Sequence, residues 1–400
     1  MAKQTIRDFA VENKRVLVRV DYNVPLDKTT GEVADDTRIR ATLPTIRYLI
    51  DRGAKVILIS HLGRPDGKVV ESLRLDPVAR RLSELLGQPV RKLDDCVGPE
   101  VEETVRALKP GEVVLLENVR FHPEEEANDP AFCRDLATLA NVFVNDAFAT
   151  AHRAHASTAG VADYLPAVAG FLMEKELKFL GDALAAPARP FAAIIGGAKV
   201  GTKIGVLRAL LGKADLLLIG GGMANTFFLA QGVPIGASLA EPDKVDLARD
   251  LLDQARAAGI EVLLPSDVLI ADRVDAAAAT RTIAVAEGVP EGWSIVDIGP
   301  ATIARYREAL QPAKTVLWNG PMGIFEIPAF AEGTRAIAAA LAELDAVTIV
   351  GGGESVAAVE QLGYADRITH LSTGGGATLE FLEGRDLPGV ACLHDKMPER

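Results

Sequence analysis

Short apolar runs alternate with longer amphipathic segments along nearly the whole chain, and few folds accept that rhythm. Strand-like runs lie at 15–20, 55–60, 113–117 and 141–145, then at 191–196, 215–219, 261–264, 294–298, 315–318, 346–350 and 368–372. Helical spacing of apolar residues occupies 37–51, 76–87, 243–259 and 329–344 between them. Buried strands separated by amphipathic helices describe parallel sheets covered by helices. A chain of 400 residues exceeds the usual size of one core, so two domains are expected. The segment MEKELKFLGDALAAPARP at 173–190 starts with helical periodicity and is punctuated by Pro187 and Pro190, as a helix joining two domains would be. Pro44 is expected to kink the 37–51 helix or to move its start. The fold class that follows is α/β with doubly wound parallel sheets.

Charge narrows the function. A net charge of −12 argues against a general binder of nucleic acid or membrane surfaces. Against that background, local clusters of Arg and His carry information. The uncharged window 216–240 is long enough to span a bilayer, yet its glycines, Pro234, Asn225 and Gln231 read as strand, turn, short helix and turn. Cys96, Cys133 and Cys392 are odd in number and lack metal-ligand spacing, which suits free thiols in a reducing compartment. The opening residues MAKQTIRDFA hold no apolar signal region. A soluble cytoplasmic protein is expected.

The first half places polar side chains where strands end. In VLVRVDYNVP (16–25), Val16, Val18, Val20, Tyr22 and Val24 share one face, while Leu17, Arg19, Asp21 and Asn23 share the other. Arg38 follows in DDTRIR, His61 and Arg64 in ISHLGRPDG, Arg120 in ENVRFHPEE, and His152, Arg153 and His155 in NDAFATAHRAHAS. The carboxyl ends of parallel strands form one rim, so these loops should converge. Guanidinium forks match phosphate and carboxylate oxygens, and the set describes a pocket for a small, highly anionic, hydroxylated ligand. Arg19 is expected to pair with a carboxylate beneath it.

The second half repeats glycine instead. IIGGAKVGTKIGVL, LLIGGGMANTF, DIGPAT, LWNGPMGIFE, TIVGGGES and LSTGGGATLE each follow a strand, as a rim of exposed backbone N–H groups for phosphate would. Lys199 and Lys203, four apart, are expected on one face at the start of a helix. Neither common nucleotide fingerprint is present. Gly196 to Lys203 reads G-x-x-x-x-G-T-K, one residue out of step with a P-loop. The third position of G-x-G-x-x-G is Asn225 after Gly220 and Gly222, and Leu379 after Gly374 and Gly376. A nicotinamide dehydrogenase therefore lacks support, and a non-catalytic phospho-ligand module remains the other alternative.

Taken in order, VLVRVDYNVP, SHLGRP, LLENVRF, NDAFATAHRAHAS, GGAKVGTKI, IGGGMANTF, WNGPMGIFE, VGGGES and HLSTGGGA resemble the phosphoglycerate kinase family over essentially the whole length. The resemblance implies a phosphoglycerate-binding domain at 1–172 with the tail 386–400 packed back on it, a linker at 173–190 and a nucleotide domain at 191–385, with a cleft between the domains. It implies reversible phosphoryl transfer between 1,3-bisphosphoglycerate with ADP and 3-phosphoglycerate with ATP, dependent on Mg2+, in a monomer. Positions matching the family's phosphoglycerate pocket are Asp21, Asn23, Arg38, His61, Arg64, Arg120 and Arg153. Lys203, Glu326, Gly352, Gly353, Glu354 and Ser355 match its nucleotide side, with Glu354 at the metal. Arg38, Lys199, Lys203 and the backbone of Gly374, Gly375 and Gly376 match positions acting on the transferred group. Two positions depart: Glu354 stands where the family usually has Asp, and Ala149 where it usually has Gly.

Overall fold

The computed structural model describes residues 3–396, which divide into two compact units, 3–178 with 386–396 and 179–385. The first holds six strands: β1 (Arg15–Arg19), β2 (Lys55–Ile59), β3 (Val90–Lys92), β4 (Val113–Leu115), β5 (Val142–Asn145) and β6 (Ala167–Ala169). They form one parallel sheet in the order β3-β4-β2-β1-β5-β6. The face carrying Val16, Val18 and Val20 packs on Ile39, Leu43, Ile46 and Leu49 of the helix Thr37–Asp51. Those four recur at helical spacing, and each fully buried aliphatic side chain contributes about 1.5–3 kcal/mol relative to exposure. Leu17 and Arg19 are buried on the opposite face, as the alternation requires.

The second unit contains β7 (Phe191–Ile195), β8 (Leu216–Ile219), β9 (Glu261–Leu263), β10 (Asp267–Ala271), β11 (Thr280–Ala284), β12 (Ser294–Ile298), β13 (Thr315–Asn319), β14 (Val347–Gly351) and β15 (His370–Leu371). Six of them make a second parallel sheet, β15-β14-β13-β7-β8-β9, around a core that includes Trp318, Tyr306 and Ile337. Both sheets are parallel α/β layers, as expected. The strand at 294–298 forms, but it pairs antiparallel with β10 in a separate three-stranded sheet, β11-β10-β12.

Pro44 does not move the helix boundary; it sits inside Thr37–Asp51. Its ring is on the exposed side, so the Arg40 carbonyl that loses a donor can be hydrated. Residues 216–240 are β8, the helix Met223–Ala230 and turns, and no helix among the described residues is long and apolar enough to cross a membrane.

The helix Phe171–Ala185 runs from the first unit into the second. Its first turn is held by Asp146, whose carboxylate accepts from Leu172 N at 2.9 Å and Met173 N at 3.3 Å. In residues 386–396, Gly389 N donates to Ala151 O at 2.8 Å, and Gly389 O accepts from Asn145 Nδ2 at 2.8 Å. His394 N donates to Ala167 O at 3.0 Å, and His394 O accepts from Gln4 N at 2.8 Å. The last part of the expected returning tail, 397–400, lies outside the described residues.

Candidate active site

In the first unit the carboxyl ends of β4, β2, β1 and β5 are neighbours. The segments leaving them carry Arg120, then His61 with Arg64, then Asp21 with Asn23, then Arg153. Arg38, in the first turn of Thr37–Asp51, forms an ion pair with the buried Asp21. Asn23 is exposed, and its Oδ1 accepts from Gly63 N at 2.9 Å. Arg120 is buried; its Nη1 donates to Gly63 O at 3.0 Å and its Nε lies 3.2 Å from Glu126. Arg153 is half-buried, with Nε 3.3 Å from His152 Nε2. Arg64 is exposed beside Gly63 and makes no ion pair among the described residues.

His61 shows how closely these cations gather. Burial, then the charges of Arg19, Arg120, Arg153 and Arg38, push its imidazole well below the usual range, so it is neutral near pH 7. His155 is pushed down to about 4 by burial, then by Arg120, Arg153 and Arg19. A site that keeps its histidines uncharged beside so many guanidiniums is prepared for an anion.

Arg19 departs from expectation, because it makes no direct ion pair among the described residues. Its Nε donates to Ser157 Oγ at 2.9 Å, and that hydroxyl donates to Glu125 Oε1 at 2.6 Å. Ser157 N also donates to Glu125 Oε2, at 2.8 Å. Glu125 is fully buried, and the relay ties β1 to the segment bearing Arg153. Glu125 was hidden in the run HPEEEA, where three adjacent glutamates look alike until the fold buries one.

In the second unit the sheet order brings the segments after β15, β14, β13, β7 and β8 side by side. Lys203 is half-buried, and its ammonium donates to Asn319 Oδ1 at the end of β13. Lys199 is exposed. The expected helical pairing of the two lysines does not hold: the helix is Ile204–Leu210, and both lysines precede it. Gly201 and Thr202 occupy a turn there, so the four-residue spacing carries no shared face. Ser355 is buried, and its hydroxyl accepts from Gly320 N at 2.7 Å, fixing one glycine segment against another.

The glycines separate into two classes. A Cβ on Gly196 would lie 2.2 Å from Pro321 O, one on Gly320 2.2 Å from Gly196 O, and one on Gly221 2.6 Å from Gly197 N. Those glycines let the segments after β7, β8 and β13 pack backbone to backbone. A Cβ on Gly353, Gly375 or Gly376 would meet nothing within 4 Å among the described residues. Close packing therefore does not account for them, although Gly375 has φ +53°, a conformation glycine adopts readily. Gly374 N donates to Ser372 Oγ at 3.2 Å. Gly352 has φ +92° and faces Asn319, whose Nδ2 is buried without an acceptor among the described residues.

A cavity of about 230 Å³ opens in this unit, lined by Gly197, Leu239, Asp297, Met322, Glu326 and Glu354 among others. Lys203, Gly352, Gly353 and Ser355 are not among its lining residues. Asp297 was not anticipated from DIGPAT; its carboxylate accepts from Gly333 N at 2.7 Å, and burial pushes it up to about 7. Asn319 was likewise missed, although it stands at a strand end inside WNGPMGIFE as Asn23 stands after β1.

A family model described as phosphoglycerate kinase matches residues 6–385. A phosphoglycerate kinase of Moorella thermoacetica is 63% identical over 396 residues, covering 99% of this chain and 100% of that protein. Another, of Roseiflexus sp., is 61% identical over 397 residues, with 99% and 100% covered. The solved structure of phosphoglycerate kinase from Coxiella burnetii aligns with a TM-score of 0.88 at 43% identity, covering 98% of each chain. That from Pyrococcus horikoshii OT3 aligns at 0.85 with 38% identity and the same coverage. A fold of two parallel α/β sheets, a guanidinium rim on one, a glycine rim on the other and relatives matched end to end lead to one conclusion: the chain belongs to the phosphoglycerate kinase family.

Proposed function

We propose that this chain catalyses reversible transfer of a phosphoryl group between MgATP and the carboxylate of 3-phosphoglycerate, giving 1,3-bisphosphoglycerate and MgADP. The observation that carries the reading is the convergence of Arg19, Arg38, Arg120 and Arg153 on one neutral His61. Phosphoryl transfer between two anions needs charge neutralisation and alignment more than covalent help from the protein. Arg38, Arg64, Arg120 and Arg153 bind the phosphate and carboxylate of the acid, and Asp21 and Asn23 orient its hydroxyl. Lys203 and the open N–H groups at Gly353, Gly375 and Gly376 hold the phosphate chain, with exposed Lys199 reaching the migrating group. The apolar part of the cavity, including Leu239 and Met322, suits a planar base. Transfer is direct and in line, so binding of both substrates brings the rims together and excludes water.

The donor set also fits Mg2+. Glu354 is exposed in the first turn of Gly353–Gln361 and has no hydrogen bond or ion pair among the described residues. Mg2+ takes most of its ligands from nucleotide phosphates and water and needs only one or two carboxylates. When bound it supplies charge neutralisation on the phosphate oxygens. Glu354→Asp shortens the side chain by one methylene and is expected to keep activity within about tenfold, with a shifted Mg2+ requirement. Abolished turnover would show that Glu354 is more than a metal-side carboxylate.

Lys203 gives the nucleotide step a pH dependence. Burial pushes its ammonium down to about 8, opposed by the Glu354 charge. Phosphate binding favours the charged form, so affinity is full below about pH 8 and falls as pH rises through that value. Calorimetry in buffers of different ionisation heat should show proton uptake on ADP binding above about pH 8 that shrinks as pH falls below that value. Lys203→Arg should abolish the uptake; unchanged uptake would assign it elsewhere.

A coupled assay in both directions tests the proposal, with 3-phosphoglycerate, nucleotide and Mg2+ omitted in turn. Turnover requiring all three is expected. ATP hydrolysis indifferent to 3-phosphoglycerate would reject it.

A further inference from the structure

The segments that follow β3 and β4 bring together three side chains that the proposed reaction does not use. Asp95, Cys96 and His122 each offer a ligand atom, and these atoms lie within 4.8 Å of one another. We infer that Asp95, Cys96 and His122 form a binding site for one thiophilic divalent cation of the zinc class.

The donors suit that chemistry. Thiolate, imidazole and carboxylate are the protein ligands of zinc, and three of them leave one position of a tetrahedron for water. Hard Mg2+ prefers oxygen alone, so this site differs in kind from the one proposed at Glu354. His122 Nε2 sits 2.6 Å from Asp95 Oδ1, a hydrogen bond occupying the place a cation would take. Cys96 Sγ donates to Glu117 O at 2.8 Å, which holds its side chain in one orientation. The His122 ring stacks on Phe132 at 5.0 Å between centroids, which fixes the direction of its nitrogens. Cys96 is buried, His122 is half-buried and Asp95 is exposed, giving an ion a path from solvent. The nearby Glu117 carboxylate is occupied by Lys92 at 2.6 Å and Arg74 at 2.9 Å, so it does not join the ligand set.

Binding exchanges protons for metal. The Cys96 thiol releases its proton to solvent as the sulfur–metal bond forms, and the imidazole releases a second when it is protonated. The hydrogen bond from Cys96 to Glu117 O is lost, and the His122–Asp95 contact opens to admit the ion. The spacing hid this set, because His122 stands far from Asp95 and Cys96 in sequence and meets them only through the pairing of β3 with β4.

Titration of the full-length, reduced, metal-free protein with Co2+ tests the inference, since tetrahedral cobalt–thiolate centres have characteristic absorption bands. One equivalent should bind with a sulfur-to-cobalt band, and one equivalent of Zn2+ should displace it. Cys96→Ser should remove the band, and His122→Gln, at a partly exposed position that spares the core, should weaken binding by more than about 100-fold. Cys133→Ser should leave both unchanged. Absence of the band in the wild type, its persistence in Cys96→Ser, or unchanged affinity in His122→Gln would overturn the assignment.

Discussion

Replacing Arg38 with alanine is expected to lower kcat by on the order of 10²–10³, the usual cost of removing one preorganised donor from a charged transition state. Arg38 is placed by the first turn of Thr37–Asp51, and its ion pair with Asp21 aims the guanidinium along the rim. Arg38 belongs to the first unit and the cavity to the second, so ATP affinity should stay within a few fold. Arg38→Lys should recover only part of the loss, because an ammonium keeps the charge but not the fork. Steady-state kinetics together with calorimetric titration of ATP separate the two effects. A tenfold loss of nucleotide affinity, or a kcat within tenfold of wild type, would contradict the assigned role.

Glu125→Ala should produce the largest loss of stability, about 3–5 kcal/mol, the range seen when one partner of a buried charge pair is removed. Glu125 and Arg19 are both fully buried, and Ser157 links them. Without the carboxylate, the guanidinium keeps the smaller compensating charge of Asp21. The Ser157 N–H and hydroxyl lose their acceptor as well, loosening the segment that carries Arg153. Urea unfolding measures the effect on the first transition, since two units need not unfold together. Glu125→Gln preserves hydrogen bonding without charge and should fall between wild type and alanine. A loss below about 1 kcal/mol for alanine would mean that Asp21 alone neutralises Arg19.

The parallel sheets were visible in the sequence because their central strands are uninterrupted apolar runs, such as KVILI in β2 and FAAII in β7. What escaped was short or exposed. β3, VRK, carries a single apolar residue, and β6, AVA, sets one valine between two alanines, so neither reads as an apolar run. β11 has one buried position, Ile283, so its apolar face is almost absent. β10 follows β9 after only three residues, where an alternating α/β rhythm expects a helix.

Candidate site residues were readable where a strand end coincided with an unusual side chain, as at Asp21, His61 and Arg120. Residues serving through burial were not. Glu125 and Asp297 look like surface carboxylates in sequence, and only the fold encloses them. The glycine motifs concealed a division of labour too, since tight packing at Gly196, Gly221 and Gly320 resembles the open backbone at Gly353 and Gly376 until neighbours are known.

Rapid quenching of a single turnover with γ-labelled MgATP reports where the phosphoryl group goes. With 3-phosphoglycerate present, label should pass into an acyl phosphate, whose acyl group hydroxylamine converts to the hydroxamate while releasing the labelled phosphate, with no label covalently bound to protein at any time. Label held covalently by the chain, or ATP consumed without an acyl phosphate, would contradict direct transfer between the two substrates.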